Sequence, residues 1–330
     1  MLFITHDFGI VRDIADRIAV MENGAIVEIG AAADILQNPA HPHTRALIGA
    51  VTRLTAPKSP AAVPATPRNL LEISGLSKTY GNTMALADVS LTLHKGTTLA
   101  IVGESGSGKS TLARLILRIT GPTAGTIMID GKDFSDLKGL ALRTGRRNVQ
   151  MIFQDPYGSL NPRRRVGDMI ARAAQLAGAN AVTARARARD LVAMVGLPPE
   201  SWARKPAAFS GGQRQRIGIA RALAMEPQLL VADESIAALD VLVQQQILDL
   251  LAEIQARLGI AILFITHDLR TAGAIADRIA VMHHGRIAET GTPAEILGNP
   301  QTACARRLVE AIPGRSPAER ALTKPVRKGH

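Results

Sequence analysis

Thr98-Leu-Ala-Ile-Val102 is a short apolar run without alternation, the pattern of a strand buried on both faces. A glycine-rich stretch follows, and apolar positions then recur at helical spacing from Thr111 to Arg118. A second apolar run, from Gln228 to Ala232, ends on the carboxylate pair Asp233-Glu234. A third, around Leu263-Phe264-Ile265, ends on Thr266-His267-Asp268. Between them, Ile217 to Met225 has the spacing of an amphipathic helix. No apolar run approaches the roughly 18 residues of a membrane-spanning helix.

The pattern repeats. Residues 2–51 align without gaps to residues 263–312 at a constant offset of 261, with 26 of 50 pairs identical. The identities include polar pairs such as His6/His267, Asp16/Asp277 and Asn38/Asn299, which shared secondary structure alone does not produce. The spacing predicts the C-terminal remnant of one domain over residues 1–53, a linker over 54–68 and a complete domain over 69–312. Pro57, Pro60, Pro64 and Pro67 among Ala, Ser and Thr suit an extended, solvated linker. Pro313-Gly314 stops the last helix, and residues 313–330 form a basic tail expected to be disordered.

Composition narrows the classes. Cys304 is the only cysteine, which excludes an intrachain disulfide framework or a metal site built from several thiolates. Aromatic residues are 3% of the chain, too few for a base-stacking platform. The start, Met1-Leu2-Phe3-Ile4-Thr5, carries no secretory pattern, so a cytoplasmic location is the expectation. The formal net charge of +11 admits nucleic acid, a membrane surface or an acidic ligand as partner.

Gly103-Glu104-Ser105-Gly106-Ser107-Gly108-Lys109-Ser110 lies between the first strand and the helix opened by Thr111. This is G-x-x-x-x-G-K-[ST] in a strand–loop–helix context. Its glycines let successive N–H groups and the helix N-terminus converge on phosphate oxygens. Lys109 supplies a charge for the β- and γ-phosphates and Ser110 a hydroxyl for Mg²⁺. Asp233 at a strand end suits the same Mg²⁺, and Glu234 beside it can polarise water. Phe209-Ser210-Gly211-Gly212-Gln213 opens a second helix and offers a second anion site, which is intelligible if it closes on a nucleotide held by another subunit.

Together these motifs resemble ATP-binding cassette (ABC) proteins over roughly residues 69–312. The resemblance implies an α/β P-loop NTPase fold with a RecA-like core, an antiparallel β subdomain and a helical subdomain. It implies that Tyr80 stacks on adenine, that Gln154 is the Q-loop glutamine touching Mg²⁺, and that Ala238-Leu239-Asp240 is the D-loop at a dimer interface. It also implies that His267 is the switch residue at the γ-phosphate and Glu234 the general base. Ser235, Ile236-Ala237 and Phe209 depart from the usual residues, but none replaces a phosphate-, metal- or water-handling group.

Phe153-Gln154-Asp155-Pro156-Tyr157-Gly158-Ser159-Leu160-Asn161-Pro162-Arg163 and Asn38-Pro39-Ala40-His41-Pro42-His43 are similar to segments of importer ATPases for di- and oligopeptides, nickel or glutathione. That group implies ATP and Mg²⁺ as ligands. Its partners are membrane permease subunits, a second cassette and, indirectly, a solute-binding protein, with the ATPase on the inner face of the membrane. Two other readings stay open: an inactive or truncated fragment of a two-cassette ATPase, and a cassette acting on nucleic acid. Against the latter, there is no room for inserted coiled coils and the linker is not long, helical and charged; no nucleic-acid partner is expected. The charge fits this, because residues 143–221 hold 15 basic and 4 acidic side chains, the stretch that by resemblance faces membrane and triphosphate.

Overall fold

The computed structural model describes residues 1–5, 8–55, 58, 68–153, 155–234, 236 and 239–313. Its strands, in chain order, are β1 (Arg17–Glu22), β2 (Ala25–Ala31), β3 (Asn69–Tyr80), β4 (Thr83–His94), β5 (Thr98–Val102), β6 (Ala124–Ile129), β7 (Lys132–Asp133), β8 (Val149–Ile152), β9 (Leu229–Asp233), β10 (Ala261–Thr266), β11 (Arg278–His283) and β12 (Arg286–Gly291).

The apolar runs β5, β9 and β10 are buried at every position and form the centre of a six-stranded sheet. Its order is β12-β11-β5-β10-β9-β8, parallel except for the antiparallel edge pair β11/β12. A strand covered on both faces needs no alternation, which is why these segments read as continuous hydrophobic runs. Helices Lys109–Ile116 and Val241–Leu258 contribute buried apolar faces to the clusters around this sheet. A separate antiparallel sheet, β4-β3-β6-β7, carries Tyr80 at the end of its longest hairpin. Helices Val166–Ala177, Ala181–Met194 and Gly211–Leu223 pack together as the helical subdomain. The three-part architecture expected from the resemblance is present.

The duplicated segments adopt the same elements. Residues 8–55 form helix Phe8–Ile14, the β1/β2 hairpin and helices Ala32–Gln37 and Pro42–Thr55. Residues 269–310 repeat them as helix Leu269–Ile275, β11/β12, and helices Pro293–Gly298 and Ala303–Glu310. Even a register irregularity is shared, at Val20/Met21 and Val281/Met282. Glu28 accepts from the N–H groups of Ala40 and His41, and its equivalent Glu289 from those of Gln301 and Thr302. The surroundings differ. β11 lies against β5 and Met282 is fully buried, whereas β1 pairs, among the described residues, with β2 alone and Met21 is 61% exposed.

Helix Pro42–Thr55 runs two residues into the segment read as linker. Of that segment only Thr55, Lys58 and Arg68 lie among the described residues beyond position 54, and residues 314–330 of the tail lie outside them.

Candidate functional site

The loop after β5 is shaped by close backbone approaches. A Cβ on Gly103 would lie 2.2 Å from the carbonyl oxygen of Met282, and one on Gly108 would lie 2.9 Å from that of Ala85. Gly108 sits at φ +107°, a conformation L side chains rarely adopt, and directly precedes helix Lys109–Ile116. No side chain among the described residues caps that helix, so its first N–H groups are open to an anion. Glu104, Ser105, Gly106 and Ser110 are exposed and Thr111 half-buried, while Ser107 is buried and its Oγ has no hydrogen-bond partner among the described residues. Lys109 Nζ is drawn across the loop, donating to the carbonyls of Gly103 at 2.8 Å and Glu104 at 2.9 Å. Burial lowers its pKa, and the charges of Glu234 and Asp233 oppose that shift.

Those carboxylates arrive from the neighbouring strands. Asp233 ends β9 and is buried. Burial raises its pKa, as does the adjacent Glu234, while a hydrogen bond from Ser110 and the charges of Lys109 and Arg114 lower it. Its Oδ1 has no hydrogen-bond partner among the described residues. A buried carboxylate oxygen left open beside a serine hydroxyl fits a hard cation such as Mg²⁺. Glu234 turns the chain at φ +43°, its N–H held by the carbonyl of Ile265 at 2.9 Å. This left-handed turn is costly for a residue with a Cβ and is held by the flanking β9/β10 pairing. Glu234 Oε1 then meets His267 Nδ1 at 3.2 Å. Lys109, Ser110, Asp233, Glu234 and His267 thus form one cluster at the C-terminal ends of three parallel strands, where open α/β sheets place their ligands.

The remaining predicted residues lie in other settings. Ser210 and Gln213 satisfy each other as a capping box: Ser210 Oγ accepts from the Gln213 N–H at 3.4 Å and Gln213 Oε1 from the Ser210 N–H at 3.0 Å. Gly211 lies near Leu239, and a Cβ on Gly212 would lie 2.4 Å from Val243 Cγ1. The second glycine is therefore also a packing requirement, which the anion-site reading did not foresee. Asp240 caps helix Val241–Leu258 by accepting from the Val243 N–H at 3.0 Å. Tyr80 is exposed with Lys78 Nζ 5.0 Å above its ring. Gln154 and Ala238 lie outside the described residues.

Sequence reasoning missed the turn after β11. The N–H of Gly285 bonds the carbonyl of Ser107 at 2.9 Å, and its own carbonyl accepts from Ala87 at 2.9 Å, which ties loop, turn and β4 together. A signal existed in the repeat, since Gly24 and Gly285 are identical; yet a Cβ on Gly24 would meet nothing within 4 Å. The basic stretch also holds structural arginines. Arg187 donates to the Leu223 carbonyl and pairs with Glu226, and Arg221, whose pKa is lowered by burial, donates to the Ser159 carbonyl with its guanidinium 6.0 Å from the Phe153 ring. Each ties a helix of the subdomain to a neighbouring segment.

Sequence and structure comparisons agree with this geometry. Residues 86–237 match the ABC transporter family, and residues 27–81 match the family described as "Oligopeptide/dipeptide transporter, C-terminal region". The glutathione import ATP-binding protein GsiA of Escherichia coli K12 is 41% identical over 96% of this chain and 56% of its own length, and that of Shigella flexneri is similar to the same extent. The chain spans about half the length of the curated relatives it matches. Among solved structures, cbiO1 of Clostridium perfringens, part of the ABC transporter complex cbiONQ, superposes with a TM-score of 0.66 at 30% identity, covering 74% of this chain and 95% of that one. The ATP-binding cassette MJ0796, in a dimeric post-hydrolysis state bound to ADP and Pi, gives 0.60 at 29% identity over 68% of this chain and 99% of that one. With a cassette fold, a glycine-rich loop before a helix and a carboxylate–histidine cluster all in place, the chain belongs to the ABC transporter family.

Proposed function

We propose that residues 69–312 bind and hydrolyse ATP to power an importer for peptides or related small solutes, at the inner face of a membrane. The observation that carries this reading is the contact of Glu234 with His267 beside Lys109 and Asp233. The uncapped helix and loop N–H groups bind the phosphates, and Lys109 turns from the loop carbonyls toward the β- and γ-oxygens. Ser110 and Asp233 would hold Mg²⁺, joined by Gln154 as the resemblance implies; when bound, the ion neutralises charge on the phosphate oxygens. Glu234 takes a proton from the attacking water as its oxygen bonds the γ-phosphorus and the bond to the ADP oxygen breaks. His267 is held at Nδ1 by Glu234, leaving its other ring nitrogen for the γ-phosphate.

Ser210 to Gln213 and Asp240 sit on the helix 241–258 side and serve the nucleotide of a facing cassette; Tyr80 stacks on adenine. Residues 1–53 are read as the end of a first cassette. Permease subunits choose the path of the solute, with a solute-binding protein delivering it, so the solute never touches this chain. The similarity to GsiA and to an oligopeptide/dipeptide transporter region supports that class of cargo. The test is ATP-driven accumulation of labelled dipeptide or glutathione by vesicles carrying the assembled transporter. Uptake is expected with the wild-type chain and not with Lys109→Ala; uptake unchanged in that variant would overturn the proposal.

A further inference from the structure

The carbonyl of Ala85, in β4, is approached from two sides. A Cβ on Gly108, the last glycine of the glycine-rich loop, would lie 2.9 Å from its oxygen, and one on Gly285, in the turn after β11, would lie 2.7 Å from it. Hydrogen bonds complete the junction. The Gly285 N–H donates to the Ser107 carbonyl at 2.9 Å, and the Gly285 carbonyl accepts from the Ala87 N–H at 2.9 Å. Leu86, between the two β4 contacts, is fully buried. Strand, loop and turn therefore meet backbone to backbone at residues 85–87.

The shape of the turn is local. His283 pairs with Arg286, so His284-Gly285 is a two-residue hairpin loop. Both residues are left-handed, at φ +45° and +74°, the pair that a type I′ turn requires. The corresponding turn Asn23-Gly24 has φ +49° and +82°, so this shape belongs to the hairpin and is not imposed by the glycine-rich loop. The middle of such a turn lies outside the strand ladder, which leaves both backbone groups of Gly285 to bind elsewhere. Gly285 answers two demands at once: its left-handed φ, and the lack of room for a methyl between turn and β4.

Strand β4 also leads to Tyr80. That residue pairs with Thr83 at the end of the β3/β4 hairpin, two residues from Ala85 and so about 7 Å along the strand. We propose, resting on the cassette reading and on Tyr80 as the adenine platform, that Gly285 is a positioning residue. It sets the spacing between the strand that leads to Tyr80 and the loop that takes the phosphates. Stacking of the base then adds to phosphate binding, because both surfaces are already held at the span of one nucleotide. Two surfaces free to shift against each other would lose part of that gain to ordering on binding. Gly285 belongs neither to the loop, nor to the carboxylate pair, nor to the segment from Ser210 to Gln213, and it touches no nucleotide itself.

The test compares MgATP with magnesium triphosphate, which lacks base and sugar, by calorimetric titration of the full chain. Gly285→Ala wedges a methyl against the Ala85 carbonyl. It is expected to lower ATP affinity by about tenfold, the scale of a base–aromatic stack, and triphosphate affinity by less than about threefold. Tyr80→Ala is expected to weaken ATP binding by about tenfold in the unsubstituted chain and by less than about twofold in Gly285→Ala. Gly24→Ala carries the same left-handed strain where a Cβ meets nothing within 4 Å, and is expected to leave both affinities unchanged. Equal losses for ATP and triphosphate, an undiminished effect of Tyr80→Ala in the Gly285→Ala chain, or the same ATP loss in Gly24→Ala overturns the inference. Should Gly285→Ala fail to fold, hydrogen exchange on the unsubstituted chain decides. The amides of Gly285 and Ala87 are expected to exchange about tenfold more slowly under saturating MgATP than under saturating magnesium triphosphate, because only ATP joins the two surfaces; equal rates overturn the inference. An unsubstituted chain that binds no ATP overturns the cassette reading and this inference with it. A chain that binds ATP and responds to Tyr80→Ala alike with and without Gly285→Ala overturns this inference alone.

Discussion

Glu234 Oε1 stands 3.2 Å from His267 Nδ1, across the ends of the adjacent parallel strands β9 and β10. Neither strand places the pair alone. The left-handed turn at Glu234 brings its carboxylate back over β10, and the Ile265 carbonyl holds that turn. Groups that act as a unit lose most of their effect when either is removed. In the assembled transporter, Glu234→Gln and His267→Ala should each lower ATPase turnover by on the order of 100-fold or more. The double variant should fall little further. A double effect equal to the product of the two single effects would show that the residues work independently.

Lys109 bridges the loop carbonyls and stands in the field of two carboxylates. Lys109→Ala removes a charged donor that binding would redirect to phosphate. Hydrogen bonds to charged groups contribute about 1.5–3 kcal/mol, so ATP affinity should fall roughly 10- to 100-fold. Calorimetric titration of the purified chain with MgATP measures it, and an unchanged Kd would contradict the loop assignment.

Burial, followed by the Glu234 charge, raises the Asp233 pKa in the folded chain. Between the ordinary aspartate pKa and the raised one, the folded state holds a proton that the unfolded state has lost. Stability of the nucleotide-free chain therefore falls as pH rises through that window, and the penalty is fully present above it. Asp233→Asn removes the penalty. It should raise the melting temperature of the nucleotide-free chain at neutral pH while abolishing the Mg²⁺ dependence of ATP binding. A lower melting temperature would show that the carboxylate stabilises the empty site.

Gly212 gives a packing test of the signature segment. Gly212→Ala forces a methyl to within 2.4 Å of Val243 Cγ1 and should destabilise the chain by about 1–3 kcal/mol. Adding Val243→Ala should recover most of that loss by removing the clashing methyl. Thermal melts of the two variants decide it; no rescue would place the cost of the first substitution elsewhere.

The glycine-rich loop between β5 and its helix was legible because its pattern is local: an apolar strand, glycines, Lys109 and a helix follow one another along the chain. Asp233, Glu234 and His267 were legible for the same reason, each ending an apolar run. The bracing of the loop by Met282 and Gly285 was not, because it depends on which strands become neighbours, and the pairing of β11 with β5 spans most of the domain. Met21 and Met282 make the point most sharply. They are the same residue in the same repeat, one exposed and one fully buried, because only one has β5 beside it. Sequence periodicity encodes which face of a strand is apolar but not whether a neighbour arrives to cover it. The structural use of Arg187 and Arg221 was likewise not legible, because it depends on the backbone carbonyls that packing brings to their guanidinium groups.

The central claim is that Glu234 supplies the base for ATP hydrolysis at this cluster. Its most direct measurement is the chemical identity of the nucleotide held by the Glu234→Gln chain in the assembled transporter after incubation with radiolabelled ATP and Mg²⁺. The account predicts that the label is recovered as ATP, while the wild-type assembly yields ADP. Recovery as ADP at the wild-type rate would contradict it.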